Sequence, residues 1–390
     1  MAYPVTCIAV CLLFAGMGRV RGASLWSPLS LNVGVWAMVF VSGLLFGGRF
    51  YPLSERAFEA WLTWFATSSL IYLLFTACGG PPTGGQKRMI PLHYTPLLVL
   101  LLAWLAYDIR SIGLTGPAHF FFNLRFDAAQ NIGFARLGLL DRLYPWAFAL
   151  FVFEQVNAGA GNRVRRNLLW AVLLLYAVAT MAKFGLLTPV LAWAIIKGVR
   201  GTLPRRRLLL AGPVLLALMV AFQFLRDVKG EPFSLVKIFG VYTYSPLVAF
   251  GYMREAPLEA PFGAHVFRLV YVLYDAILGG GEPVSSLQPM IAVPFWTNVY
   301  TVMRPFWLDF GMAGVAVGAA VFGVLFGSLH RLAQAGRQWA LMSYAGLAIV
   351  LVGQFFDDLL FTTLAGQMQF VIAVGFLAAV SRPVTDECGR

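Results

Sequence analysis

The chain has 390 residues, of which 59% are apolar and only 12% charged, with a formal net charge of +12. A soluble domain carries about a quarter charged residues. Here the cations fall between apolar runs rather than on one face, which argues against a nucleic-acid-binding domain. The four cysteines, Cys7, Cys11, Cys78 and Cys388, have neither metal-cluster nor disulfide-framework spacing and read as small packing residues. No metal site and no cofactor are expected.

The first apolar run, 3–18, has no cation before it, and Arg19 and Arg21 follow it. A cleaved signal peptide has the opposite polarity, so this run is expected to stay in the bilayer with its start outside. Charge-free stretches recur at 31–46, 168–181, 208–225 and 312–329. About 20 apolar residues cross about 30 Å of hydrocarbon. The pattern predicts an all-α polytopic membrane protein with about eleven spans. They fall at 3–18, 31–48, 60–76, 92–107, 143–158, 168–182, 184–197, 208–225, 308–329, 339–356 and 360–380. Several are nearer fifteen residues, which calls for tilt, local thinning or partial re-entry. The run 168–196 is divided at Lys183-Phe184-Gly185 into a hairpin of two short helices.

Alternation from an external start puts sixteen of the 29 Lys and Arg inside. They are Arg19, Arg21, Lys87, Arg88, Arg163, Arg165, Arg166, Lys197, Arg200, Arg205, Arg206, Arg207, Arg331, Arg337, Arg382 and Arg390. One orientation, N-terminus outside and C-terminus cytoplasmic, satisfies the positive-inside rule. Two outer loops are long, 108–142 and 226–307. Both are rich in Phe, Tyr, Trp and Pro and are expected to be ordered. Within the second, 263–280 reads as an amphipathic interfacial or re-entrant helix, with Val266, Val270, Leu273 and Ile277 in one stripe. Internal repeats and a separate soluble domain are not evident.

Cations on the outer side run against the positive-inside trend and are therefore informative: Arg110, Arg125, Arg136, Lys183, Arg226, Lys229, Arg254, Arg268 and Arg304. Guanidinium forks match phosphate oxygens. Arg304 lies between an apolar stretch and a spanning helix, where a charge without a role is costly. Tyr244, Trp296 and Tyr300, with Asn298, have the ring faces and polar tips that sugars stack on and bond to, although interfacial belts are enriched in the same aromatics. Asp309 and His265 are alternative proton acceptors, with His119 next. Asp357-Asp358 reads as a solvated helix end, a weak match to a divalent-cation pair. The chain has no phosphate-binding G-x-x-x-x-G-K-[ST] run.

Asn298-Val299-Tyr300-Thr301, Arg304-Pro305 and Leu308-Asp309-Phe310-Gly311 lead into the small-residue helix that begins at Met312. This order resembles the carboxy-terminal signature of O-antigen polymerases of the Wzy type. Ser27-Pro28-Leu29-Ser30, Met181-Ala182-Lys183-Phe184-Gly185-Leu186 and Tyr242-Thr243-Tyr244-Ser245-Pro246 are similar to other pieces of the family in the same order, with Ala182 where it often has Ser. The resemblance implies a bacterial inner-membrane glycosyltransferase with its site facing the periplasm. It would join undecaprenyl-diphosphate-linked oligosaccharide repeat units, transferring the growing chain to the non-reducing end of a new unit. Its partners would be the lipid bilayer and the chain-length regulator and flippase of the same pathway. Under this resemblance Arg304 and Arg226 act on the leaving diphosphate, and Asp309 or His265 takes the acceptor proton. Arg125, Arg136 and Lys183 bind substrate with Tyr300, Tyr244, Trp296 and Asn298. The family's R-x₁₀-G pattern is absent after Arg125 and Arg304. A flippase or transporter of the same lipid-linked sugars and an O-antigen ligase are the alternatives.

Overall fold

The computed structural model describes every residue except 1, 77–87, 92, 117, 130–137, 159–161, 204, 226–233, 235, 255–260, 280–282, 286–287 and 384–390. The helices are α1 (Ala2–Val20), α2 (Pro28–Phe46), α3 (Glu55–Phe75), α4 (Thr95–Thr115), α5 (Phe120–Ala129), α6 (Gly138–Val156), α7 (Arg163–Thr180) and α8 (Lys183–Val199). They continue with α9 (Arg205–Leu225), α10 (Val241–Thr243), α11 (Ser245–Tyr252), α12 (Arg268–Leu278), α13 (Met303–Gln334), α14 (Gln338–Gly353) and α15 (Leu364–Val380). Each of the eleven expected spans falls on one of these helices, while α5 and α10 to α12 lie in the two long loops. A 3-10 turn at Gly47–Arg49 extends α2, a π-helical turn at Val236–Gly240 precedes α10, and two antiparallel two-residue pairs complete the described structure: β1 (Arg88–Met89) with β4 (Arg382–Pro383), and β2 (Ile291–Ala292) with β3 (Trp296–Thr297).

Among the described residues, five helical segments are long and apolar enough to cross a bilayer: Tyr3–Val20, Pro28–Arg49, Glu55–Phe75, Thr95–Thr115 and Met303–Gln334. The chain is thus an all-helical protein with several helices of membrane-crossing length. The other expected spans are shorter or interrupted. Three arginines open α7, and Pro145, Pro189 and Pro213 sit inside α6, α8 and α9.

Local chemistry sets several helix starts. Ser27 caps α2 by accepting the Ser30 N–H at 3.2 Å, with Pro28 in the first turn. Ser54 does the same for Ala57 at the head of α3, and Asn162 for Val164 at the head of α7. The break between α7 and α8 falls where the sequence divides it. Met181 adopts a left-handed φ of 48°, and Ala182 is the cap from which Lys183 starts α8. Gly185 lets α8 pass close to α7, since a Cβ there would lie 3.1 Å from the Ala177 backbone.

The chain forms two compact units. The first comprises Met1–Gly80, Phe233–Arg331 and Val350–Ala365; the second comprises Pro81–Pro232, Leu332–Ile349 and Gly366–Arg390. An aromatic core of Trp36, Phe40, Trp61 and Phe65 fills the first unit. Beside it runs a buried polar network. The Asn32 amide donates to Ser68 and Ser69 (3.3 and 3.0 Å), the Gln354 amide to Asn32 (2.6 Å), and the Trp64 indole to the Gln354 carbonyl (2.9 Å). Every polar end that meets Gln354 is thereby satisfied, as apolar surroundings demand. In the second unit Leu105, Val172, Tyr176 and Leu186 belong to one apolar cluster. Glu154, buried on α6, accepts the Tyr94 hydroxyl, and the Arg165 guanidinium lies 4.5 Å from the Tyr94 ring.

Candidate functional site

The segment leading into α13 gathers most of the candidate residues of the first unit. The Thr297 hydroxyl accepts the Val299 N–H at 3.1 Å. Tyr300 is buried, and its hydroxyl donates to the Pro289 carbonyl at 2.9 Å. The Val302 N–H donates to the Gln354 carbonyl at 2.9 Å, so the residue that anchors the polar network also fixes where α13 begins. Phe306 then packs on Trp64 and Phe361.

Eight residues into α13, Gly311 breaks the helix with φ 62° and ψ −147°, a conformation open essentially to glycine alone. The first turn folds back on the rest of α13: a Cβ on Gly314 would lie 2.3 Å from the Phe306 carbonyl oxygen, and one on Gly318 would lie 2.7 Å from the Phe306 ring. Gly311→Ala is accordingly expected to cost about 1–3 kcal/mol of stability and to misplace Asp309. Thermal unfolding of the purified variant in detergent checks the first, and its activity the second.

Asp309 lies on the turn held by that break, and its side chain is only 2% exposed. The carboxylate accepts the backbone N–H of His265 (3.0 and 3.2 Å) and of Val266 (2.7 Å), and meets His265 Nδ1 at 2.7 Å. Gly263, at φ 68°, turns the loop so that these groups face Asp309. Phe262 and Phe267 close on the neighbouring Phe310 ring, with centroids 5.1 and 6.3 Å away. Asp309 and His265 are therefore a pair, not alternatives. The carboxylate is engaged on both oxygens, whereas His265 Nε2 has no partner among the described residues and the side chain is 15% exposed.

Arg304 is half-buried, with its guanidinium carbon 5.1 Å from the centre of the Tyr300 ring. Among the described residues no carboxylate lies within ion-pair distance of it, and its side chain makes no hydrogen bond. Its charge is felt by Tyr300, Asp357 and Asp309. The desolvated fork thus keeps its donors available.

Asp357 and Asp358 are not the solvated helix end expected from the sequence. Asp358 is fully buried because its carboxylate takes the N–H groups of Leu360, Phe361 and Thr362 at 3.0, 3.1 and 3.2 Å. Asp357 accepts the Gln288 amide at 2.7 Å. Burial and the Asp358 charge push Asp357 up to about 7, against the pull of Gln288 and Arg304. Burial pushes Asp358 up to about 6, against its backbone donors. Both values lie above the unfolded carboxylate value of about 3.9. The folded state therefore binds protons more tightly, and this contribution to stability is lost as pH rises from about 4 through about 7. Moving from about pH 8 to about pH 5 is expected to raise the thermal midpoint. Asp357→Asn should be more stable than the parent at the higher pH and should lose most of the dependence, as scanning calorimetry in detergent can check.

The other candidates are spread more widely. Tyr244 is a core residue, its ring against Gly43 and Phe50 rather than along a channel. Trp296, on β3, is 68% exposed, and Asn298 is exposed beside it. Arg125, on α5, and Lys183, at the head of α8, are half-buried in the second unit. His119 accepts the Phe122 N–H through Nδ1. Arg136, Arg226 and Lys229 lie outside the described residues, as do Cys78, Lys87, Cys388 and Arg390. Sequence reasoning missed Gln288, Gln354 and Arg56. Arg56 binds the carbonyls of Phe250, Gly251 and Met253, closing the end of α11. An arginine beside the Glu55 start of a helix carries no signal that its partners lie about two hundred residues away.

The fold and site define an all-helical protein with membrane-length helices, a half-buried arginine and a His–Asp pair that joins the Gly263 loop to the start of α13. Compared with models of known families, with curated proteins and with solved structures, the chain matches none.

Proposed function

We propose that this protein is a lipid-diphosphate-dependent glycosyltransferase that polymerises undecaprenyl-diphosphate-linked oligosaccharide repeat units, as its resemblance to O-antigen polymerases implies. In this reading it crosses the bacterial inner membrane about eleven times and works at the periplasmic face. The observation that carries the reading is that the residues of α13 before the Gly311 break hold both a half-buried arginine with unused donors and a carboxylate bound to an imidazole whose second nitrogen has no partner among the described residues.

The chemistry is set by those groups. The acceptor hydroxyl gives its proton to His265 Nε2, while Asp309 holds the ring by Nδ1–H. The hydroxyl oxygen bonds to the anomeric carbon of the donor sugar. The bond from that carbon to the diphosphate oxygen breaks, and its electron pair leaves on the phosphate. Arg304 meets the developing charge. No nucleotide sugar is required.

Purified protein given one synthetic lipid-linked repeat unit and no nucleotide is expected to yield a ladder of products. Only unreacted substrate, under conditions where the protein remains folded, would exclude a polymerase. In cells, deletion is expected to leave a single repeat unit on the lipopolysaccharide, whereas loss of a ligase would leave none.

A further inference from the structure

At one end of the second unit, several helix ends surround a cavity of about 280 Å³, lined in part by Arg88, Phe153, Arg337, Gln338, Trp339 and Met342. Among the described residues, two arginines and no acidic side chain face this space. Arg88 is fixed by three contacts: its N–H donates to the Asn157 side chain at 2.9 Å, its guanidinium to the Ala378 carbonyl at 3.1 Å, and its strand pairs it with Pro383. Arg337 follows Gly336, whose φ of 82° turns the chain into α14. Its backbone N–H is tied to the Leu332 carbonyl at 3.1 Å, while its side chain is exposed and makes no hydrogen bond among the described residues.

The first turn of α14 begins at Gln338 in the cavity wall. Its backbone N–H groups and the positive end of its dipole add to the two cations. Much of the remaining lining is apolar, Phe153 and Met342 among it. Trp339 is 44% exposed beside it, the placement of an aromatic ring at a bilayer interface. A free phosphate would need the guanidinium forks but not the apolar wall or the indole. A phosphate carrying a glyceride needs all three.

We propose that this cavity is a binding site for the phosphate headgroup of an anionic glycerophospholipid, with Arg88 and Arg337 as its ligands. Arg88, Arg337 and Arg382 all fall in segments that charge assigns to the cytoplasmic side, so the lipid comes from the inner leaflet. Basic pockets between helices on that side are suited to such headgroups. The site is independent of the glycosyl-transfer reading and stands or falls without it.

The test uses the full chain in a neutral detergent, with bound lipid read by native mass spectrometry and the thermal midpoint measured in parallel. Dioleoylphosphatidylglycerol is expected to stay bound and to raise the midpoint, and dioleoylphosphatidylcholine to do neither. Arg337→Gln is expected to weaken phosphatidylglycerol binding about tenfold, the loss of one charged hydrogen-bonding partner, with the lipid-free midpoint unchanged. Arg88→Gln should weaken it as well but also loosens the contact to Ala378, so Arg337→Gln decides. Equal retention of the two lipids, or unaltered phosphatidylglycerol binding in Arg337→Gln, overturns the site. Equal protection by inorganic phosphate at the same concentration overturns the lipid assignment.

Discussion

Arg304→Ala and Arg304→Lys are each expected to lower the polymerisation rate by about 10²–10³-fold, the effect of removing one preorganised donor from a developing oxyanion. Protein levels and thermal midpoint should stay close to those of the parent, because the Arg304 side chain holds no other group in place by hydrogen bonding among the described residues. Lysine is expected to fail with alanine. The guanidinium is planar, lies over the Tyr300 ring, and offers paired donors to two phosphate oxygens. An ammonium supplies the charge without the fork. Tyr300 gives an internal control. Tyr300→Phe keeps the ring and loses only the hydrogen bond to Pro289, so it should retain most activity, while Tyr300→Leu removes the surface on which Arg304 rests. Full-length polymer made at a normal rate by Arg304→Lys would take the arginine out of the site.

The helices were legible because a membrane segment needs only a long enough charge-free run, and such a run is a local property. The break at Met181–Lys183 was legible for the same reason. A cation in the middle of an otherwise apolar stretch marks a turn, and the backbone supplies it through a left-handed Met181. The amphipathic segment was legible in outline. Val270, Leu273 and Ile277 do form an exposed apolar face on α12, whereas Val266 lies before the helix and is buried.

What the sequence could not show was pairing over distance. Gln288 meets Asp357 across 69 residues, His265 meets Asp309 across 44, and Gln354 meets Asn32 across 322. No periodicity encodes such contacts, so the acidic pair looked like a solvated end, and Asp309 and His265 looked like rivals. Aromatic composition misled in a related way. Tyr244 and Trp296 have the same appetite for a sugar face, yet one fills the core and the other lies exposed. Glycines carried more than was read from them. Gly311 appeared as part of a resemblance, and only its backbone angles show that it makes the turn on which Asp309 is presented.

The second large effect concerns the proton. His265→Ala is expected to slow transfer by about 10²–10⁴-fold, the range for a positioned general base. His265→Gln should behave alike, since an amide can hydrogen-bond to Asp309 but cannot take a proton. Asp309→Asn is predicted to act through two routes that the structure separates. It weakens an acceptor for the His265 and Val266 N–H groups, which lowers stability, and it replaces the oxygen that meets His265 Nδ1 with an amide that can donate there instead. The second route alone slows the reaction, because a ring that accepts at Nδ1 carries its proton on Nε2 and cannot take the acceptor's proton. A rate measured on folded protein distinguishes the two. If Asp309→Asn changed the thermal midpoint and left the rate of the folded protein at the parent value, Asp309 would be a clamp for the Gly263 loop and no part of the proton path. If His265→Ala kept the parent rate, the acceptor would lose its proton to another group, and His265 Nε2 would have no catalytic meaning.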